Sequence, residues 1–172
     1  MKYKLSGGYN VVHLRTLEGS CLSRIKWMFD NTHYPYAKEL GRHINEKDIC
    51  LMSDDYIRWK LEKAGSTDLP LVISHDNQNP KRLGEIEKTF NAVVLGGEEQ
   101  RHIVVDMLLM IRANTFIPNV ASSLSQNVEH IRRVLHLEDT YQDDWRIMNV
   151  PGTLPYHPSD FARNGTRLGR RR

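Results

Sequence analysis

An imidazole and a guanidinium, His13 and Arg15, stand two residues apart behind the run Tyr9-Asn10-Val11-Val12. Tyr9, Val11 and Val12 are strand formers preceded by the breaker Gly7-Gly8, so a β-strand here delivers both side chains at its carboxyl end. In open α/β sheets ligands bind outside the carboxyl ends of the strands, and a forked cation there suits a phosphate or diphosphate. The plainer reading of Arg15 is a solvated strand end. Ser122, Ser123 and Ser125 form a second candidate group, between the short run Thr115-Phe116-Ile117 and the helically spaced Val128, Ile131, Val134 and Leu135. A strand feeding a hydroxyl-rich helix start offers N–H groups and the positive end of the helix dipole to a phosphate. It equally describes an ordinary N-cap. The third candidate is Asp106, a lone carboxylate among Ile103, Val104, Met107, Leu108, Leu109, Met110 and Ile111. An acid buried on such a helix needs hydrogen-bond donors.

These groups require a scaffold of alternating strands and helices. After the strand ending at His13 and Arg15, residues 16–33 read as a loop with a helical turn around Leu22, Ile25, Trp27 and Met28, and Tyr36 to Ile44 as a short helix. Asp48-Ile49-Cys50-Leu51-Met52-Ser53 reads as a second strand, with Asp54-Asp55 capping the helix that runs to a stop at Gly65. Leu69 to Ser74 gives a third strand, a polar loop and a helix around Leu83 to Phe90 follow, and Ala92 to Leu95 gives a fourth, ended by Gly96-Gly97. A helix over residues 100–113, buried on much of its surface, precedes the fifth strand at Thr115-Phe116-Ile117. The alternation predicts an α/β fold: a Rossmann-like, doubly wound parallel sheet spanning residues 1–137. Residues 138–160, with Pro151, Pro155 and Pro158, read as an extended arm, and residues 161–172 as a basic, disordered tail.

Composition narrows the partners. The chain has 172 residues, 40% hydrophobic and 26% charged, which is ordinary for a globular domain. Its net charge of +3 comes from the tail, where Arg163, Arg167, Arg170, Arg171 and Arg172 fall in the last ten residues; without those five the chain carries −2. The basicity therefore belongs to the tail, and a nucleic-acid-binding surface is not expected. No apolar run approaches 18 residues and no charged-then-apolar leader precedes the first strand, so neither a membrane span nor a signal peptide is expected in this chain. Cys21 and Cys50 are too few and too far apart for a metal site or a disulfide framework; buried thiols and a single disulfide both fit. Asn164-Gly165-Thr166 is a glycosylation sequon, meaningful for a chain in the secretory pathway.

Three motifs in this order carry a resemblance. Val11-Val12-His13-Leu14-Arg15, the stretch ending Ser53-Asp54-Asp55, and Asp106 followed, after fifteen intervening residues, by Ser122-Ser123-Leu124-Ser125 are similar to the motifs of GDP-fucose-dependent fucosyltransferases. The likeness is to protein O-fucosyltransferases and, more distantly, α-1,6-fucosyltransferases, and it covers about residues 8–136. It implies that Arg15 contacts the donor diphosphate and favours departure of GDP, that His13 lies beside it in the nucleotide pocket, and that Asp106 accepts hydrogen bonds from guanine N1 and N2. Ser122, Ser123 and Leu124 match the loop around the phosphates. The resemblance implies metal-independent fucosyl transfer from GDP-fucose to a hydroxyl of a protein or glycan acceptor, with no cofactor. Asp54-Asp55 could suggest Mg²⁺, but helix capping is the preferred role.

The family's A-D-x-F-I-G stretch reads Ala113-Asn114-Thr115-Phe116-Ile117-Pro118 here, replacing one acid and one glycine. The matched motifs all belong to the carboxyl-terminal, donor-binding half of a two-domain glycosyltransferase type B arrangement, so an upstream domain supplying the acceptor half is expected as a partner. An ER or Golgi lumen location follows if that resemblance holds and a leader exists upstream. Two functions are carried forward: the donor-binding domain of a fucosyltransferase, and a non-catalytic descendant that binds a nucleotide or a protein partner.

Overall fold

The alternation of β-branched residues decides which side of each strand is buried against which helices. The structure, a computed structural model, describes residues 6–15, 20–31, 46–94, 103–119 and 121–137. Its sheet contains β1 (Asn10–Leu14), β2 (Leu71–His75), β3 (Val93–Val94) and β4 (Thr115–Ile117), all parallel in the order β3-β2-β1-β4. Val11, Val72, Val93 and Phe116 point to one face, where Met110, Ala113 and Val128 cover them. Val12, Leu14, Ile73 and Ile117 point to the other, against Cys21, Ile25, Met52, Tyr56, Ile57 and Ile86. The central strands are therefore largely apolar on both sides, as a sheet covered on both faces requires, with Asn10, His13 and Ser74 as buried polar exceptions.

The helices divide between the faces accordingly. On one side lie α1 (Cys21–Asn31), α2 (Glu46–Leu51), α3 (Asp54–Lys63) and α4 (Pro80–Phe90); on the other lie α5 (Ile103–Arg112) and α6 (Ser123–Val134). The chain steps from β1 out to β2 and β3, then returns across β1 to add β4 on the far side. Right-handed crossovers place helices on opposite faces when the stepping direction reverses. This is the expected α/β, Rossmann-like, doubly wound parallel sheet. Tyr36 to Ile44, Gly96-Gly97, and the expected arm and tail over 138–160 and 161–172 lie outside the described residues.

The sheet has four strands among the described residues, not five, because the stretch over residues 48–53 is not a strand. It forms α2, and Met52 beyond it adopts a left-handed conformation (φ 50°) with the Ser53 amide bonded back to the Asp48 carbonyl at 2.9 Å. An apolar run this short does not distinguish strand from helix by its spacing. A disulfide between Cys21 and Cys50 ties α1 to α2, with Cα atoms 5.7 Å apart. The next helix is also capped differently from expectation: the hydroxyl of Ser53 accepts from the Tyr56 amide at 3.2 Å, while Asp54 and Asp55 occupy the first turn. Residues 21–31 form a full helix where a single turn was expected.

The end turn of α2 recurs. After α3, α4 and α6 a left-handed residue (Gly65, Asn91, His136) lets the following amide reach a carbonyl in the last turn, Leu61, Glu87 and Arg132 respectively. Helix α5 ends otherwise, since β4 begins only three residues after Arg112. Its terminal carbonyls are taken by the buried guanidinium of Arg132 from α6, whose Nη1 donates to Met110, Ile111 and Ala113 at 3.1, 2.6 and 2.7 Å. A cation also suits the negative end of the dipole.

Helix α5 is less buried than its sequence suggests. Met110 is buried, and Met107 and Ile111 pack on the core, but Ile103, Val104, Val105 and Leu108 are exposed. Three apolar positions per face satisfy the sheet; the remainder of this unusually apolar helix faces outward among the described residues. Gly8 is needed where the chain enters β1: its φ is +100°, and an added Cβ would sit 2.4 Å from Oδ1 of Asn114, which accepts from the Tyr9 amide.

The disulfide closes a loop with a sequence separation of 29. Chain-entropy arguments give such a link roughly 3–4 kcal/mol. The Cys21→Ser/Cys50→Ser double variant is therefore expected to unfold at lower urea, losing about 3 kcal/mol, in a denaturant titration read by circular dichroism. An unchanged midpoint would remove the link from the stability of this fold.

Candidate functional site at the carboxyl edge of the sheet

The return of the chain across β1 creates a crevice between the carboxyl ends of β1 and β4, the point at which doubly wound sheets accept ligands. Two segments form its walls: residues 13–15 at the end of β1, and residues 118–119 and 121–125 from the end of β4 into the first turn of α6. Because α5 runs back from the carboxyl edge toward the start of β4, its first turn, which contains Asp106, lies at the same edge. Helices α5 and α6 thus both present their N-termini there. The topology gathers on one edge Arg15, His13, Asp106, Ser122, Ser123 and Leu124, which the sequence separates by up to 111 positions.

The environments of these residues differ. Arg15 is half-buried, Ser123 is exposed, and Leu124 and Asp106 are half-buried. Ser122 is buried at the N-cap position of α6 and makes no side-chain capping hydrogen bond. Capping therefore does not explain its hydroxyl, and Ser123 is the serine that opens to solvent. Asp106 is half-buried as a residue, with its Oδ1 shielded from solvent, although its turn carries the exposed Ile103, Val104 and Val105.

His13 is buried, and its Nδ1 lies 2.7 Å from the hydroxyl of Ser125. Burial pushes its pKa down to about 4; the nearby Arg15 guanidinium adds to the fall and the Asp76 carboxylate opposes it. The ring is neutral at physiological pH. Its place among buried groups makes it a brace between β1 and α6, with Nδ1 already engaged.

Three residues that the sequence did not single out as site residues complete the crevice. Asn119 is fully buried; its Nδ2 donates to the Arg15 carbonyl at 2.6 Å, and its Oδ1 accepts from the Ala121 amide at 3.1 Å. The Asn119 amide donates to Oγ of Ser125 at 3.1 Å, and its carbonyl accepts from Ser122 at 2.9 Å. Asn119 directly follows Pro118 ahead of a hydroxyl-rich helix start, a local turn signal whose distant partner no spacing rule reveals. Beside β1, the end of β2 contributes His75 and Asp76, which accept from the amides of Asn77 and Gln78 at 3.1 Å each.

The edge combines a guanidinium, two helix N-termini and an acid, a set that can hold an anion and a hydrogen-bond-donating group together. Among the described residues no group of three or more His, Cys, Asp or Glu side chains gathers where a metal ion could be held. Asp54, the first of the acidic pair, is 2.6 Å from Nη2 of Arg82. Nor is any helix of the described residues long and apolar enough to cross a membrane. Compared with known proteins, the chain matches no protein-family model, no curated protein and no solved structure.

The depressed pKa of His13 has a consequence for stability. The unfolded chain binds the proton near pH 6.5, whereas the folded chain resists it until about pH 4. The contribution is therefore fully present above pH 6.5 and is lost progressively as pH falls toward 4, by about 3 kcal/mol in all. In urea titrations at pH 7, 5.5 and 4.5, His13→Gln is expected to show a shallower acid loss than wild type; parallel losses would place the titration elsewhere.

Proposed function

We propose that the chain is a nucleotide-sugar-binding domain that takes GDP-fucose at the carboxyl edge of its sheet and supports metal-independent transfer of the fucosyl group to a hydroxyl of a protein or glycan. The observation that carries this reading is that Arg15 and the Ser122–Ser125 segment flank the switch point between β1 and β4, with the helix turn that holds Asp106 at the same edge of the sheet. These are the positions at which the motifs resemble those of fucosyltransferases.

In this reading the diphosphate lies across the N-terminus of α6 with Arg15 beside it, and Asp106 accepts the paired N–H donors of guanine. As the acceptor hydroxyl oxygen bonds to the anomeric carbon and gives up its proton to solvent or to a base of the acceptor half, the bond from that carbon to the β-phosphate oxygen breaks and negative charge grows on departing GDP. A guanidinium and backbone amides positioned for that charge stabilise the transition state more than the ground state. His13 acts here through its hydrogen bond to Ser125, holding the wall of the pocket. The acceptor half comes from another domain or partner. The Cys21–Cys50 bond supports an oxidising compartment such as the ER or Golgi lumen, because disulfides persist there and are rare in the cytosol.

A second reading is favoured by the exposed Ile103, Val104, Val105 and Leu108 on α5. An apolar face of this kind beside the pocket suits a non-catalytic descendant that binds a protein partner.

Base recognition separates the readings at the level of binding. GDP is expected to raise the thermal midpoint of the chain while ADP and UDP do not, and Asp106→Asn to weaken the response by leaving one donor facing a donor. Equal shifts for the three nucleotides would remove the assignment of Asp106.

Turnover separates enzyme from binder. With the chain joined to its acceptor half, Arg15→Ala is expected to cut GDP release from GDP-fucose about a hundredfold, with a smaller loss of GDP affinity. Arg15→Lys does not restore it, since an ammonium lacks the two-pronged contact. Binding of GDP without turnover by the joined wild type would favour the non-catalytic descendant.

A further inference from the structure

We propose that Asn119 is a positioning residue that aims Arg15 at the ligand, an inference that rests on the reading of the carboxyl edge as a diphosphate site. The arginine ends a strand, and beyond a strand end a guanidinium carries about 2 kcal/mol of rotamer freedom unless its surroundings restrict it. Fixing the backbone from which it springs is the first requirement. Asn119 does this from the opposite wall of the crevice: its Nδ2 donates to the carbonyl of Arg15 itself at 2.6 Å, across 104 positions of sequence.

The remaining groups of Asn119 make it a rigid support. Its Oδ1 accepts from Ala121, its carbonyl accepts from Ser122, and its amide donates to Oγ of Ser125. Oγ of Ser125 in turn meets Nδ1 of His13, two residues before Arg15. The end of β1 is thereby held at two points, through His13 and through the carbonyl of Arg15, by a loop locked to the first turn of α6. That first turn of α6 carries the amides assigned to the phosphates. One buried amide side chain thus ties the backbone from which the guanidinium springs to the loop that leads into the helix N-terminus, the two groups that must act on one diphosphate together.

Chemistry singles out the amide. The side chain must accept from Ala121 and donate to Arg15 at once, and a carboxylate of the same shape accepts but cannot donate. Asn119→Asp therefore keeps the bond to Ala121 and turns the contact with the Arg15 carbonyl repulsive.

The test uses the full chain in two measurements. In the free, ¹⁵N-labelled protein, Asn119→Asp is expected to lower the backbone order parameter at Arg15 from about 0.85 to below about 0.6, with Val11 and Val12 unchanged. By calorimetry, the same substitution is expected to weaken GDP and inorganic diphosphate about tenfold in the wild-type background, and less than twofold in Arg15→Ala, because its effect runs through the guanidinium. An unchanged order parameter at Arg15 overturns the proposal, as does an equal loss of affinity in both backgrounds. If wild type binds neither GDP nor diphosphate, the diphosphate reading fails separately and the order parameter alone decides whether Asn119 holds Arg15. Should Asn119→Asp not fold, Asn119→Ser, whose hydroxyl is too short to reach the Arg15 carbonyl, gives the same readouts.

Discussion

The guanidinium of Arg132 settles where the fourth strand begins. Helix α5 must stop and β4 must start within three residues, which leaves no room for the left-handed turn that ends α2, α3, α4 and α6. Buried carbonyls without donors would cost on the order of 1–3 kcal/mol each. Arg132 reaches from α6 and supplies those donors. It thereby fixes α5 to α6 as well as the start of β4, so the register of Thr115 opposite Asn10 and of Ile117 opposite Val12 follows from a contact made on the neighbouring helix. Everything at the other end of β4, including Asn119 and the first turn of α6, inherits its position from that register.

The two edges of the sheet are built from different materials. At the amino edge polar side chains lace the elements together: Nδ2 of Asn10 donates to the Ser66 carbonyl at 2.7 Å, and the hydroxyls of Ser66 and Thr115 are 2.7 Å apart. Those bonds are internal and closed. At the carboxyl edge the buried bonds among His13, Ser125 and Asn119 form a floor, above which Arg15 and Ser123 stay at least partly open to solvent. A closed floor under an open charged rim is an arrangement suited to repeated binding and release, since ligand contacts can form without rearranging the core.

Much of this was readable from residue types. β1, β2 and β4 are β-branched or aromatic runs bounded by Gly, Pro or polar clusters, and their alternation marks two buried faces. The stretch over residues 48–53 misled because six residues of mixed apolar type satisfy a strand and a short helix equally, and the deciding facts, a disulfide to Cys21 and a left-handed Met52, are tertiary and conformational. Arg15, Asp106 and the serines stood out because charge and hydroxyl groups next to apolar runs are conspicuous. Asn119 did not, because asparagine after proline is an ordinary turn pair and its partner lies at the far end of the chain. The outward apolar face of α5 was hidden for the opposite reason: an apolar helix looks buried until the area of sheet available to cover it is known.

The central place of β1 also has a temporal side. Its two neighbours are synthesised long after it: Leu71 lies opposite Asn10 on one side, and Thr115 on the other only 105 positions later. As the chain leaves the ribosome, β1, the earliest of the described strands, therefore waits for both partners, and after β2 has joined, one row of its backbone N–H and C=O groups still stands unmatched. Nascent chain with an unsatisfied central strand carrying Val11, Val12 and Leu14 is vulnerable to pairing with another copy. The order of strands in space thus makes the elongation interval between residues 75 and 117 the period in which this domain most needs a chaperone's protection.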